Sequence, residues 1–389
     1  MALRWTEMGA RVRVFTSMPN RPQGVIHPDY RGKLHVEEVW NGIEVERSWL
    51  YASPRHGFAR TLLNNVTFMA TGGLAAALRP GGIDVLIASS PPFFPHIAGR
   101  AAGVLRRLPL VLEVRDLWPD YLVGMGVLKG IPARALFAVE RRLLKAAREV
   151  VVVTESFRAR IIEKGVAPER VHVIPNGVET DRYYRSRDEA PPLPELRRRE
   201  GEFLVSYLGN FGAGQNLGTV LDAFELLARQ APEVRLVMVG DGPDGEMLRA
   251  RAATMPNVDV LPPIAKSDTR AFYNACDLCL VPLAPVGVFQ DTIPSKIFEI
   301  MACEVPVVAS LGGEGRAIME RSGGGLVRRP GDAADIADGV LAMRALTPAQ
   351  RAGMGVRGRA FVSENYDRRV LADRYLEILR TAAGRAAHG

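Results

Sequence analysis

The feature that most constrains this chain is a repeated alternation. Short β-branched apolar runs each end in Gly, Pro, Ser or Asn and are followed by segments whose apolar residues recur at helical spacing. Strands that are apolar along their whole length suit a parallel sheet covered on both faces, with the intervening helices as the cover. An α/β architecture follows. In the first half the strands are expected at Arg11 to Thr16, Ile83 to Ala88, Leu110 to Val114, Val150 to Val153 and Val171 to Ile174. In the second half they are expected at Phe203 to Leu208, Val234 to Val239, Val258 to Leu261, Leu278 to Val281, Val305 to Ala309 and Gly325 to Val327. Two series imply two doubly wound sheets, and 389 residues suffice for two domains of ordinary size. Between them, Arg182 to Gly201 carries Pro191, Pro192 and Pro194 among many charges and reads as an exposed connection. Domains are therefore placed at residues 1–180 and 181–368. A final helix in 369–389, with Leu371, Tyr375, Ile378 and Leu379 on one face, is expected to pack back on the first domain.

Composition excludes several function classes. With 47% hydrophobic and 24% charged residues, the chain has the balance of a folded globular protein. No run reaches 18 consecutive apolar residues, so no membrane span is expected, and the N-terminus lacks the pattern of a signal peptide. A cytoplasmic protein is expected. Three cysteines, Cys276, Cys279 and Cys303, are too few for a disulfide framework, and the first two have no second pair or nearby His with which to hold a metal. The net charge of +7 is uneven: residues 1–175 hold 24 Lys/Arg against 15 Asp/Glu, whereas the remainder holds 26 against 28. A basic first half suits an anionic membrane surface. Nucleic acid ranks last because no aromatic-basic surface motif accompanies the charge.

Ligands of open α/β sheets bind at the carboxyl ends of strands. After Phe203 to Leu208 comes Gly209-Asn-Phe-Gly-Ala-Gly-Gln-Asn216, a glycine-rich turn into a helix that could cradle a diphosphate or simply supply φ > 0. Gly240-Asp-Gly-Pro-Asp-Gly245 formally matches a dinucleotide fingerprint, with Asp259 downstream, although Pro243 removes a donor and a structural turn fits better. Asp291-Thr-Ile-Pro-Ser-Lys-Ile-Phe-Glu299 opens a helix at Lys296, a place where a cation makes sense beside a bound anion. Glu299, one turn on, could accept both hydroxyls of a ribose, and Asp291 could reach the hydroxyls of a transferred sugar. An ordinary capping cluster on a surface helix would produce the same pattern.

With these segments in order, the chain resembles the retaining glycosyltransferase family 4, whose fold is GT-B: two Rossmann-like domains facing a cleft. The carriers are Asp291 and Glu299 with the following Ala302-Cys-Glu-Val-Pro-Val-Val308, together with Ile174-Pro-Asn-Gly-Val178, Gly240-Asp-Gly-Pro243 and Gly331-Asp332. Thr292-Ile-Pro-Ser-Lys296 and Arg115-Asp-Leu-Trp-Pro119 are most similar to the branch that builds bacterial O-antigen and capsular polysaccharides with amino sugars such as fucosamine. The resemblance implies transfer of a hexose or N-acetylamino sugar from a nucleoside diphosphate, UDP first, to a lipid-linked (polyprenyl-diphosphate) or saccharide acceptor. It implies diphosphate near Gly209, Gly212 and Lys296, further donor contacts at Asn210, Gln215, Thr292 and Ser295, ribose on Glu299, and the base near Ile264. Where the family commonly has Arg and Lys after its first C-domain strand, this chain has Asn210 and Gln215, so neutralisation of the leaving group falls on Lys296. Asp291 stands in place of the usual Glu. No Asp-x-Asp pair is present, and neither metal nor cofactor is expected. The family opens with a strand and Gly-rich loop; this sequence begins within the following helix, so that strand and loop are expected to be missing. A noncatalytic relative that binds nucleotide sugar is the alternative, and a nicotinamide-dependent oxidoreductase is a third possibility resting on Gly240 to Gly245.

In the first domain, Arg115 and Asp116 end the strand Leu110 to Val114; Arg115 stands where related sequences often carry His. Asp116 is the candidate to position a hydroxyl or act as base, with a helix cap as the plainer role. Ser90 and His96, in Ser89-Ser-Pro-Pro-Phe-Phe-Pro-His96, are acceptor-side candidates, while Trp49 and Trp118 suit packing or an acceptor wall. Arg55 and Arg60 beside Leu62, Leu63, Val66, Phe68 and Met69 could attach the protein at the inner face of a membrane.

Overall fold

A computed structural model describes residues 1–20, 24–54, 57–79, 81–124, 126–186, 188–197, 199–286 and 292–384. The chain divides into two compact units, Met1–Pro175 with Leu371–Gly389, and Asn176–Val370. In the first, α1 (Ala2–Glu7) and β1 (Arg13–Ser17) precede a hairpin of β2 (His35–Trp40) and β3 (Ile43–Ser48). Then come α2 (Phe58–Leu78), β4 (Leu86–Ser90), α3 (Phe94–Arg106), β5 (Leu110–Val114), α4 (Trp118–Gly124), α5 (Gly130–Ala146), β6 (Glu149–Val152), α6 (Glu155–Glu163) and β7 (Val171–Val173). β4, β5, β6 and β7 form one parallel sheet in that order; β1, β3 and β2 form another, in which β1 is parallel to β3 and β2 is antiparallel to it.

The second unit follows the same alternation: β8 (Phe203–Leu208), α7 (Leu217–Gln230), β9 (Val234–Val239), α8 (Gly245–Ala252), β10 (Val258–Leu261), α9 (Thr269–Ala275) and β11 (Leu278–Pro282). It continues with α10 (Lys296–Ala302), β12 (Val307–Ser310), α11 (Gly313–Ser322), β13 (Gly325–Arg328), α12 (Ala333–Ala345) and α13 (Pro348–Asn365). Its six strands are all parallel, in the order β10-β9-β8-β11-β12-β13. Strand order reverses between β8 and β11, and crevices at such a reversal are where open α/β sheets bind ligands. β8, β9, β11 and β12 are buried along nearly their whole length, as expected of strands covered on both faces.

β5, β8, β9 and β10 fall on the residues that the sequence indicates, whereas β4 begins three residues later than expected, because Ile83 and Asp84 belong to the approach to the strand. The β2–β3 hairpin is an addition. Its strands carry four acidic residues, which masked them, but these are paired: Arg13 Nε donates to Glu44 at 2.6 Å, Arg47 to Glu38 at 2.6 Å, and Arg79 meets the buried Glu46 at 3.0 Å. Asn41 and Gly42 turn the hairpin with φ of 48° and 80°, so the Asn-Gly pair was the readable signal.

Helix α14 (Arg368–Ala382) completes the first unit. Leu371, Ala372, Tyr375, Leu376 and Leu379 join Trp5, Val111, Val151 and Ile174 in one core. Trp5 Nε1 donates to the Ala372 carbonyl at 3.1 Å, and its ring meets Tyr375 edge-on at 5.1 Å. Leu371 is fully buried, so Leu371→Ala is expected to destabilise this unit by about 2–4 kcal/mol. Hydrogen exchange on the full chain should show faster opening in β5 and β6 with β8 and β9 unaffected.

Candidate functional site

The switch point of the second unit is built from loops that lock together through glycine. Gly209, at the end of β8, has φ +150°, and a Cβ there would lie 2.5 Å from Lys296 Nζ. The loop after β9 packs on the same turn: a Cβ on Gly240 would fall 1.8 Å from the Gly209 carbonyl oxygen, and one on Gly242 would fall 2.4 Å from that of Phe211. Phe211 N–H donates to Asp241 O at 2.8 Å, and Asp244 N–H donates to Phe211 O at 2.9 Å. Gly240-Asp-Gly thus serves backbone-to-backbone packing. Asp259, the acid that a dinucleotide reading requires, accepts from Arg235 Nη1 at 2.8 Å.

Lys296 begins α10, whose opposite face fixes it. Ile297, Phe298, Ile300 and Met301 are buried, and Phe298 stacks on Tyr366 at 4.3 Å. The lysine ammonium sits 4.0 Å from the centre of the Tyr207 ring, a cation–π contact, and against Gly209. Among the described residues it has neither a hydrogen-bond acceptor nor an ion-pair partner. Burial lowers its pKa from 10.5 to about 8, with Glu299 and Cys279 pulling the other way. A desolvated ammonium without a counter-charge is costly unless an anion joins it. Tyr207 is locked in turn, its hydroxyl donating to Asn210 O at 2.7 Å.

Asn210, Gly212 and Gln215 lie together, the Asn210 amide donating to Gln215 Oε1 at 3.3 Å. The turn leads into α7 through Asn216, which has φ of 49°. Thr292 and Ser295 are exposed at the approach to α10. Ile264 is half-buried in the loop after β10 and packs on the core beneath. Asp291 lies outside the described residues. Gly331 closely approaches Pro285, 3.0 Å from a would-be Cβ, and Asp332 caps α12 by accepting from Asp335 N–H at 3.0 Å. Gly331 therefore lets the loop after β11 pack closely, while Asp332 serves its own helix.

Glu299 is not empty-handed. Lys266, on the turn after β10, donates to its Oε1 at 2.6 Å and lies 5.4 Å from the centre of the Tyr183 ring. Sequence reasoning missed Lys266, Tyr183 and Tyr207. For Lys266 the available signal was its place just past the carboxyl end of a strand; the tyrosines look like core until Lys296 and Lys266 are seen beside them.

In the first unit, Asp116 follows β5, half-buried; burial raises its pKa, against a stabilising backbone N–H at Leu117. Arg115 is exposed. Ser90 is buried on β4. His96 is 3% exposed, its Nε2 is 3.2 Å from Glu113 O, and burial lowers its pKa to about 4, so the ring is neutral and occupied in packing α3 on β5 rather than offered to an acceptor. Trp118 stacks parallel to Phe93 at 6.4 Å. Trp49 and Tyr51 instead line a cavity of about 270 Å³ with Arg31, Val25 and Ile26, where the loops after β1 and β3 meet. Asn64, Thr67 and Thr71 of α2 hold that wall by bonding the backbone of Trp49 and Tyr51 at 2.6–2.9 Å. No helix among the described residues is long and apolar enough to cross a membrane.

Residues 1–177 match the family described as glycosyl transferase 4-like domain, and residues 202–345 match glycosyl transferases group 1. WcaI of Escherichia coli strain K12, named for glycosyl transfer in colanic acid biosynthesis, is 26% identical over 303 residues, covering 76% of this chain and 74% of that protein. WbjE of Pseudomonas aeruginosa, named as a glycosyltransferase, is 27% identical over 282 residues, covering 69% and 68%. Among solved structures, HepE of Anabaena in complex with UDP and glucose superposes with a TM-score of 0.68 at 20% identity, over 96% of this chain and 100% of that one.

The lowered pKa of Lys296 sets two opposite pH dependences. Between pH 8 and 10.5 the unfolded chain holds the proton that the folded chain has released, so stability should rise with pH across that window. Anion binding at the site should fall as the ammonium is lost above about pH 8. Denaturant titrations at several pH values check the first, and Lys296→Met should remove the slope.

Proposed function

Because the chain belongs to glycosyltransferase family 4 and has the GT-B fold, we propose that it is a retaining transferase that uses a nucleoside-diphosphate sugar, UDP-linked first, in cell-surface polysaccharide biosynthesis. Its enzyme class, and a part in polysaccharide or glycolipid biosynthesis, follow from the family matches and the named relatives. The observation that carries the donor assignment is the Lys296 ammonium, buried against Gly209 without an acceptor among the described residues. A diphosphate there would supply the missing negative charge, and Lys296 would in turn stabilise the charge that develops when the sugar C1–oxygen bond to the β-phosphate breaks. The Gly209–Asn216 turn supplies backbone N–H donors in place of the Arg and Lys common in relatives. Glu299 takes the ribose hydroxyls, and Asp291 the sugar hydroxyls.

Asp116, with a pKa raised by burial, positions the acceptor hydroxyl or receives its proton as the oxygen bonds to C1 with retention. The cation required at the leaving group is provided by Lys296, and the proposed reaction uses no metal. The acceptor is a polyprenyl-diphosphate-linked or free saccharide. A membrane surface would be met through α2, where Leu62, Leu63, Leu74 and Leu78 are exposed on the basic first unit. Arg55 lies outside the described residues.

Calorimetry with UDP and GDP, followed by a donor-hydrolysis screen with their sugars, tests this assignment. Lys296→Ala is expected to abolish nucleotide binding, and unchanged affinity would sink it. Asp116→Asn should leave donor affinity within about twofold and lower kcat by about 10²–10⁴-fold, the usual span for a general base. Excess chelator should leave turnover intact. Nucleotide binding without hydrolysis or transfer of any sugar would favour the noncatalytic alternative. Cosedimentation with phosphatidylglycerol vesicles at low salt, lost in Leu62→Glu/Leu63→Glu, checks the membrane contact.

A further inference from the structure

Helix α10 carries one cation and one anion a turn apart, and their situations differ. Lys296 has no anionic partner among the described residues, whereas Glu299 is held by Lys266 at 2.6 Å. That pair is lopsided: the Lys266 side chain is 60% exposed and that of Glu299 17%. Lys266 rises from a short 3-10 turn, Lys266–Asp268, which is closed by Asp268 N–H donating to the Ala265 carbonyl at 3.0 Å. Its ammonium lies 5.4 Å from the centre of the ring of Tyr183, which is buried. The backbone is thus fixed while the ammonium is free to swing into solvent, and a mostly exposed ion pair of this sort is weakly held.

We propose that Lys266 is a displaceable counter-ion of the diol seat, so that a ribose binds Glu299 by exchanging its two hydroxyls for the lysine ammonium. This rests on the assignment of Glu299 to ribose given above. A ligand that carries a diphosphate and a vicinal diol meets both needs of α10 at once: the anion completes Lys296, and two O–H donors replace Lys266 on Glu299. A nucleotide without the second hydroxyl leaves the Lys266–Glu299 pair in place and gains only the phosphate contact. Lys266 therefore tempers the advantage of ribose over deoxyribose, because every diol must first break the pair.

The test is calorimetry of UDP and 2′-deoxy-UDP on the wild type, Lys266→Met, Lys266→Arg and Glu299→Gln, with GDP and 2′-deoxy-GDP as a second pair. Lys266→Met should bind the ribonucleotide about two- to fivefold more tightly, the range expected for loss of a competing exposed ion pair, and leave the deoxynucleotide within about twofold. Lys266→Arg should behave as wild type. Glu299→Gln should bring the ribonucleotide close to the deoxynucleotide. If Lys266→Met weakens both nucleotides alike, the lysine grips phosphate or base and the exchange is wrong; unchanged ribonucleotide affinity also overturns it. If Glu299→Gln keeps full ribonucleotide preference, the ribose assignment itself falls. When Glu299→Gln loses that preference but Lys266→Met has no effect, only the exchange falls. Absence of binding by either nucleotide pair removes both.

Discussion

The candidate site depends on one unusual placement, that of the half-buried Lys296, whose ammonium lies between the Tyr207 ring and Gly209. Taking an ammonium out of water with no hydrogen-bonded acceptor is unfavourable, and the lowered pKa, which Glu299 only partly offsets, is the electrostatic expression of that cost. A site can sustain it only if the surrounding structure over-determines the position of the lysine. Here α10 is pinned on its far face by Phe298 on Tyr366 and by Met301 against Gly324 and Gly358. On the near face, any residue larger than glycine at position 209 would occupy the space of the ammonium. The destabilised lysine and the rigid frame are complementary parts of one preorganised cation.

The frame extends through contacts that leave little slack. Gly240 and Gly242 bring the β9 loop onto the β8 loop at distances no side chain permits, and Ala284 N–H donates to Gly214 O at 2.9 Å, which ties the β11 loop to the same turn. Gly331 then lets Pro285 settle against the loop before α12. Three strand ends are thereby held as a unit around the reversal in strand order. Sheet topology determines where the opening falls, glycine determines how closely its walls approach, and the charge placed there comes from a single helix.

The buried strands were legible because their apolar runs admit little ambiguity: β5, β8, β9 and β10 coincide with the sequence assignment residue for residue. The β2–β3 hairpin was not, because Glu37, Glu38, Glu44 and Glu46 imitate a solvated loop until Arg13, Arg47 and Arg79 are brought from distant positions to pair with them. The same limit applies to the site. Gly209, Lys296 and Glu299 could be nominated from their places after strands and at a helix start. That His96 is consumed in packing, and that Glu299 already has a lysine on it, depend on residues 17 and 33 positions away in sequence. Local pattern identifies who stands at the strand ends, and only the fold shows whose hydrogen-bonding capacity is already spent.

Charge distribution within the second unit makes the same point about chemistry. Asp259 and Glu202 share Arg235, and Glu189 holds Arg270, so these acids and bases neutralise one another in largely sheltered pairs. Lys296 stands apart from this pattern, while Glu299 takes part in it through an exposed and therefore exchangeable lysine. A fold that pairs charges elsewhere and leaves a half-buried cation without an acceptor beside an easily uncovered carboxylate is arranged for a ligand bearing an anion at one end and neutral donors at the other. Simple phosphate would satisfy the first feature alone and a free sugar the second alone. The separation of the two charges by one helical turn, about 5 Å along the axis, ties them to a single molecule that carries both groups.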